Sequence, residues 1–125
     1  MLGNDDFSRW LGVQLISVEK GSCVLSCIVR EEMLNGHRIA HGGISYSLSD
    51  SALAFAANSH GQKCVSIETS IYHLHPIHLG DQLTITTKEI QRGKTLGVYI
   101  VSILNQDSVL VSRFKGTVHI SKTSW

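Results

Sequence analysis

The chain has 125 residues, a formal net charge of +1 at pH 7 and 42% hydrophobic residues, which suffices for one domain with a single core. The near-neutral charge, without runs of like charge, argues against partners such as nucleic acids and anionic membranes. The first residues lack the pattern of a signal peptide, and no apolar run reaches membrane-spanning length. Three cysteines without motif spacing favour a reducing compartment. We therefore expect one cytoplasmic domain over residues 1–125.

The beginning of the chain predicts a short helix. Residues 4–6 (Asn-Asp-Asp) offer capping and first-turn side chains, and Gly12 ends the helix. We expect the rings of Phe7 and Trp10 to cover one end of the core.

A β-hairpin and a loop follow this helix. Apolar and polar residues alternate at 13–18 and 23–29, on either side of a Lys-Gly-Ser turn at 20–22. Residues 31–40 have no regular period and contain the turn signal Asn35-Gly36, so they predict a loop.

Residues 41–58 predict a long helix that is apolar on opposite faces and therefore buried all round. Its apolar positions are Ile44, Tyr46, Leu48, Ala52, Leu53, Ala54, Phe55, Ala56 and Ala57, with Ser51 among them. Asp50 is its only charge. Because a desolvated, unpaired carboxylate costs several kcal/mol, Asp50 needs a partner or a chemical role.

Two glycines stand at the start of this helix. Gly42 and Gly43 allow close approach of another molecule, and the first helical turn leaves amide N–H groups without intrahelical partners. The positive end of the helix dipole lies behind them, so the site suits a carbonyl oxygen that gains negative charge.

The remainder of the chain predicts strands at 65–71, 83–87, 96–104 and 109–120. Turn signals separate them at 76–81, 92–94 and 105–107. One long uncharged helix with six strands favours an α+β hotdog fold, a curled antiparallel sheet around a central helix, closed by a second copy. The alternative, a ferredoxin-like sandwich, requires two amphipathic helices.

Several motifs over residues 12–120 together resemble the hotdog acyl-CoA thioesterases of the phenylacetic-acid-degradation type. These motifs are His41-Gly42-Gly43, Leu48-x-Asp50-x-Ala52, Asn58, Val65-Ser66-Ile67-Glu68, Tyr72-x-x-x-Pro76-x-x-x-Gly80-Asp81 and Gly93-Lys94-Thr95. The resemblance implies hydrolysis of a coenzyme A thioester, with an aromatic acyl group suggested, and no cofactor.

The resemblance also implies roles for individual residues. Asp50 is the nucleophile or the general base that activates water, and the Gly42 amide polarises the carbonyl. Asn35 orients the reacting groups, while Ser66 places the acid or the water. Ser49 stands where the family often has Ala.

Further residues are candidates for substrate contact. We expect His41 to support the Gly42-Gly43 turn by donating a hydrogen bond to the backbone. Tyr46 and Leu53 are expected to contact the acyl group and, with Phe55, to shape its tunnel. Leu53 replaces a Phe common in the family, and with Ser49 it is expected to touch the pocket wall. Arg92, Gly93 and Lys94 form a basic turn that could bind the phosphorylated adenosine of coenzyme A.

Spacing predicts that the active site is shared. Gly42 and Asp50 lie eight positions apart, which is on the order of 12 Å along one helix, too far for both to reach one carbonyl. Two antiparallel helices across a two-fold axis bring Asn35 and Gly42 of one subunit to Asp50 and Ser66 of its neighbour. We therefore expect a homo-oligomer, with a dimer of dimers implied by the resemblance.

Three alternatives compete with this interpretation. His73, His75 and His78 could bind a metal, but no Cys or carboxylate completes the ligand set, so no metal site is expected. A hydratase or dehydratase could pair His41 with Asp50, although the His-Phe-Pro-Gly type of motif of such enzymes is absent. A non-catalytic acyl-CoA-binding module would not require a buried Asp50.

Overall fold

The computed structural model describes residues 5–124, so the predicted capping residue Asn4 lies outside the described part of the chain. The elements are α1 (Asp6–Leu11), β1 (Gln14–Glu19), β2 (Ser22–Ile28), a 3-10 helix (Glu31–Met33), α2 (Gly42–Asn58), β3 (Gln62–His73), β4 (Gln82–Arg92), β5 (Leu96–Leu104) and β6 (Leu110–Ser124). Every predicted helix and strand is therefore confirmed, and the 3-10 helix is an addition within the predicted loop. No helix within this part of the chain is long and apolar enough to cross a membrane.

The six strands form one antiparallel sheet in the order β1-β2-β4-β5-β6-β3. The helix α2 contacts all six strands, which requires the sheet to curl around it. This is the predicted α+β architecture. The ferredoxin-like alternative is wrong, because residues 5–124 contain one long helix rather than two.

The core lies between α2 and the concave face of the sheet. Leu48, Ala52 and Ala56 of α2 are fully buried. Ile85 of β4 and Ile103 of β5, which are direct register partners, are equally buried. Small residues on α2 allow the sheet to approach the helix closely, and this packing fixes the rotation of α2 about its axis.

The prediction that α2 is buried all round is wrong for the single chain. Gly43, Tyr46, Ser47, Asp50 and Ala54 remain exposed or half-buried, and their spacing of three or four residues places them on one side of the helix. We call these five residues the open stripe of α2. The single sheet covers the rest of the helix but not this stripe.

The predicted orientation of α1 is also wrong. Phe7 and Trp10 are 53% and 46% exposed and stack on each other outside the core. Ser8 and Leu11, one position further along, are buried instead, and the Ser8 hydroxyl lies 2.8 Å from that of Ser51 in α2. The sequence places both pairs three residues apart, so spacing alone does not reveal which pair faces α2.

The predicted boundaries of α1 are confirmed. The Asp5 carboxylate accepts a hydrogen bond from the Ser8 N–H at 3.1 Å, which caps the beginning of the helix. Gly12 adopts a left-handed conformation with φ of 75° at its end.

Candidate active site

The beginning of α2 leaves one backbone amide available for a ligand. His41 precedes the helix, and its Nδ1 atom accepts a hydrogen bond from the Gly43 N–H at 2.8 Å. The His41 carbonyl accepts one from the Ile44 N–H at 2.8 Å. Within residues 5–124 the Gly42 N–H has no such partner. His41 thus supports the turn as expected, but as an acceptor; the prediction that it donates is wrong.

Asn35 offers a second hydrogen-bond donor nearby. Its Oδ1 atom accepts hydrogen bonds from the backbone N–H groups of His37 and Ile39, at 2.9 and 3.4 Å. These contacts fix the side-chain amide, and its Nδ2 group donates to no other residue of the described chain. Asn35 and Gly42 line the same cleft, of about 290 Å³, which we call the Gly42 cleft. Two N–H donors in one cleft suit an oxygen that develops negative charge.

The structure places His73 in the Gly42 cleft, where the sequence analysis considered it only as a metal ligand. Its Nδ1 atom lies 3.2 Å from the hydroxyl of Ser45, and its ring lies 3.5 Å from the position that a Cβ atom on Gly42 would occupy. His75 lines the cleft as well. The spacing of two residues between these histidines was the signal that they lie close together, although β3 ends at His73 and His75 follows it.

The described residues contain no cluster of three or more His, Cys, Asp or Glu side chains that could hold a metal ion. That the reaction needs no metal or other cofactor stays a prediction.

Asp50 and Ser66 line a second cleft, of about 260 Å³, which we call the Asp50 cleft. Asp50 belongs to the open stripe of α2, and its carboxylate has no hydrogen-bond or ion-pair partner among residues 5–124. Burial raises the pKa of the Asp50 carboxyl, and the negative charge of Asp5 raises it further. A carboxylate with a raised pKa and no partner, beside a cavity, can act as a base or a nucleophile.

Leu53 and Cys64 contribute to the wall of the Asp50 cleft. Leu53 is 1% exposed, and a Cβ atom on Gly116 would lie 2.5 Å from its Cδ2 atom. Gly116 therefore makes room for Leu53 beside the cleft. No sequence signal marked Cys64, which stands alone between Lys63 and Val65.

Ser49 and Phe55 are buried and line neither cleft. The single chain does not test the expectation that Ser49 touches the pocket wall and Phe55 shapes the tunnel, which stays a prediction. The Ser49 hydroxyl has no hydrogen-bond partner among the described residues.

Tyr46 lies on the open stripe between the two clefts. Its hydroxyl is 2.7 Å from that of Thr69 in β3, and its ring contacts the ring of Phe114 edge to face, with centroids 5.5 Å apart. The side chain nevertheless remains 37% exposed.

The two clefts share no lining residue. The structure thus brings Asn35 together with Gly42, and Asp50 together with Ser66, but it does not bring the two pairs together within one chain. This placement is the one required by a site that two subunits share. The chemical roles of the four residues stay a prediction.

The residues of the basic turn at 92–94 differ in their contacts: Arg92 points inward, whereas Gly93 and Lys94 are exposed. The Arg92 guanidinium donates hydrogen bonds to the carbonyl of Ala57 at 3.0 Å and to the hydroxyl of Tyr99 at 2.9 Å. Arg92 is therefore better explained as a cap for the end of α2 than as a ligand for coenzyme A. Gly93 and Lys94 are exposed to solvent and stay candidates.

Comparisons with known proteins identify the family of this chain. Residues 37–112 match the family model of the thioesterase superfamily. The acyl-coenzyme A thioesterase PaaI of Escherichia coli is 40% identical over 119 residues, which are 95% of this chain and 85% of that protein.

Two solved structures share the fold over nearly the whole chain. The E. coli PaaI protein from the phenylacetic acid degradation operon superposes with a TM-score of 0.97 at 39% identity, covering 99% of this chain and 90% of that one. A hypothetical thioesterase from Streptococcus pneumoniae, solved with coenzyme A, superposes with a TM-score of 0.88 at 27% identity, covering 90% and 88%. The chain therefore belongs to the thioesterase superfamily and has the hotdog fold that its sequence predicts.

Proposed function

We propose that this protein is an acyl-CoA thioesterase that hydrolyses phenylacetyl-type coenzyme A thioesters at a site shared by two subunits. The family and the 40% identity with PaaI support the reaction class. The observation that carries the proposal is the pair of unpartnered groups on α2, the Gly42 N–H and the Asp50 carboxylate. Gly42 lines one cleft and Asp50 lines another.

The Gly42 cleft binds the thioester carbonyl. Its oxygen accepts hydrogen bonds from the Gly42 N–H and from Nδ2 of Asn35, and the positive end of the α2 dipole stabilises the charge that develops there. A well-placed donor of this kind contributes ~10²–10³ in kcat. His41 contributes indirectly, because it engages the Gly43 N–H and so fixes the turn.

Asp50 of the partner subunit attacks from the opposite side. Either its carboxylate removes a proton from water, which adds to the carbonyl carbon, or it adds to that carbon itself and water then cleaves the resulting anhydride. In both routes the C–S bond breaks, the sulfur leaves with the electron pair and takes up a proton. The products are the free acid and coenzyme A. Ser66 orients the carboxylate or the water.

The second subunit packs against the open stripe of α2. Two α2 helices that run antiparallel across a two-fold axis set Gly42 of each against Asp50 of the other, so that each dimer has two equivalent sites. Two such dimers form the tetramer. Exposed Gly93 and Lys94 contact the adenosine phosphate of coenzyme A, and the three free cysteines suit a cytoplasmic location.

Release of free thiol from a panel of acyl-CoA thioesters tests this function. We expect activity that is highest with phenylacetyl-CoA and its ring-hydroxylated forms, and a loss of about 10²–10⁴ in kcat for Asp50→Asn, which keeps the size of the side chain. Hydration of an enoyl-CoA without thiol release would establish the hydratase alternative. Tight binding without any turnover would establish the binding module.

A further inference from the structure

We propose that Tyr46 lies on the two-fold axis of the dimer, faces its own copy, and closes the inner end of both acyl sites. This inference rests on the shared site proposed above. It concerns the part of that site that selects the acyl group rather than the part that performs the hydrolysis.

Symmetry and spacing place Tyr46 at this position. When Gly42 of one helix lies opposite Asp50 of the partner subunit, the position midway between them must lie opposite itself. Tyr46 lies four residues from both Gly42 and Asp50 of its own helix, which is about 6 Å along the helix axis in either direction. It belongs to the open stripe and is 37% exposed, so part of the side chain is accessible to a second helix.

The contacts of Tyr46 make it a fixed wall rather than a mobile side chain. The hydroxyl lies 2.7 Å from that of Thr69, and the ring packs edge to face with the ring of Phe114. The two hydroxyl groups share one proton in their hydrogen bond, so one O–H group remains available to a ligand. The exposed 37% of the side chain is the surface that the partner's Tyr46 and the acyl groups contact.

The position of the Tyr46 ring limits the length of the acyl group that the site accepts. Each thioester carbonyl lies between Gly42 and the partner's Asp50, so an acyl group that extends towards the axis meets a tyrosine ring after a distance on the order of 6 Å. A compact aromatic acyl group fits this length, whereas a long linear chain does not. The free O–H group suits a polar substituent on the ring.

Cysteine cross-linking tests the placement without any need for activity. The Tyr46→Cys variant should form a covalent dimer with a short bifunctional maleimide, because residues opposite each other on packed helices are close. Ala54→Cys is the matched control: it lies on the same stripe, but two copies of position 54 are separated by about 24 Å along antiparallel helices. Wild type controls for reaction at the native cysteines.

Cross-linking tests only the position of Tyr46 on the two-fold axis and not its role in selectivity. A covalent dimer of the Tyr46→Cys variant, absent from the Ala54→Cys variant and wild type, supports it. Equal cross-linking of both variants, or none with Tyr46→Cys, overturns it.

Acyl-chain selectivity tests the second part. Tyr46→Ala should raise the ratio of kcat/KM for decanoyl-CoA over phenylacetyl-CoA by about 10-fold or more, because additional methylenes gain room. Tyr46→Phe retains the ring and should leave that ratio within about 2-fold. An unchanged ratio in Tyr46→Ala overturns the role in selectivity. Absence of thiol release in wild type would instead refute the proposed function. Cross-linking would still show whether Tyr46 lies at the two-fold axis.

Discussion

Two inactive variants should restore each other's activity when they form mixed dimers. Asp50→Asn removes the carboxylate from the Asp50 cleft. Asn35→Asp removes the Nδ2 donor from the Gly42 cleft, but it retains an oxygen to accept the hydrogen bonds from His37 and Ile39. In a mixed dimer, one site carries both substitutions and the other carries neither.

The magnitude follows from counting sites. Random pairing of equal amounts makes half of the dimers mixed, and each mixed dimer has one intact site out of two. The mixture should therefore recover about a quarter of wild-type activity. Because Asp50→Asn alone loses about 10²–10⁴ in kcat and removal of one oxyanion donor, as in Asn35→Asp, loses about 10²–10³, the recovery lies far above the background of either variant.

The assay is thiol release after the two variants are co-expressed or unfolded and refolded together. The matched control is a mixture of Asp50→Asn with Ser66→Ala, whose substitutions fall in the same cleft, so that no intact site forms. Activity of the first mixture no higher than the average of its separate components would refute the shared site, since it would mean that both clefts act within one chain.

Three smaller effects follow from the same structure. The pKa of Asp50 is raised in the folded state, so ionisation of Asp50 destabilises the fold as the pH rises above the ordinary carboxyl value of 3.8. Asp50→Asn should therefore match the wild-type melting temperature at low pH and exceed it at neutral pH. A variant melting temperature below that of wild type at neutral pH would contradict this. Gly116→Ala should cost ~1–3 kcal/mol in denaturant unfolding, because the new Cβ displaces Leu53; unchanged stability would show that Leu53 moves freely. Lys94→Ala should raise KM for acyl-CoA and spare kcat, and an unchanged KM would remove Lys94 from the site.

The order of the elements was predictable because its signals are local. Alternation of apolar residues along β2, β4 and β5 has a period of two, and turn residues separate the strands. The sequence overestimated how much of α2 is buried within the single chain, and the reason is physical. An apolar stripe looks the same in sequence whether a strand of the same chain covers it or a second subunit does.

The site was predictable only where spacing carries information. The helix rise predicted that Gly42 and Asp50 lie apart, and they line separate clefts. The resemblance, rather than spacing, pointed to Asn35 and Ser66, which line the Gly42 cleft and the Asp50 cleft. Hydrogen bonds made in three dimensions were not predictable. The inward contacts of Arg92 depend on the position of Tyr99 in a neighbouring strand, and neither residue type reveals that contact.

The open stripe of α2 explains why this small chain can leave a carboxylate unpaired. A lone Asp50 on a helix buried in its own core would carry the full cost of desolvation. On the stripe it is only half-buried, so the single chain keeps part of the hydration of the charge. In the proposed dimer, the partner's helix removes that water only where it also supplies the Gly42 cleft. Desolvation of the acid and completion of the site are then the same event, which confines a reactive carboxylate to the assembled enzyme.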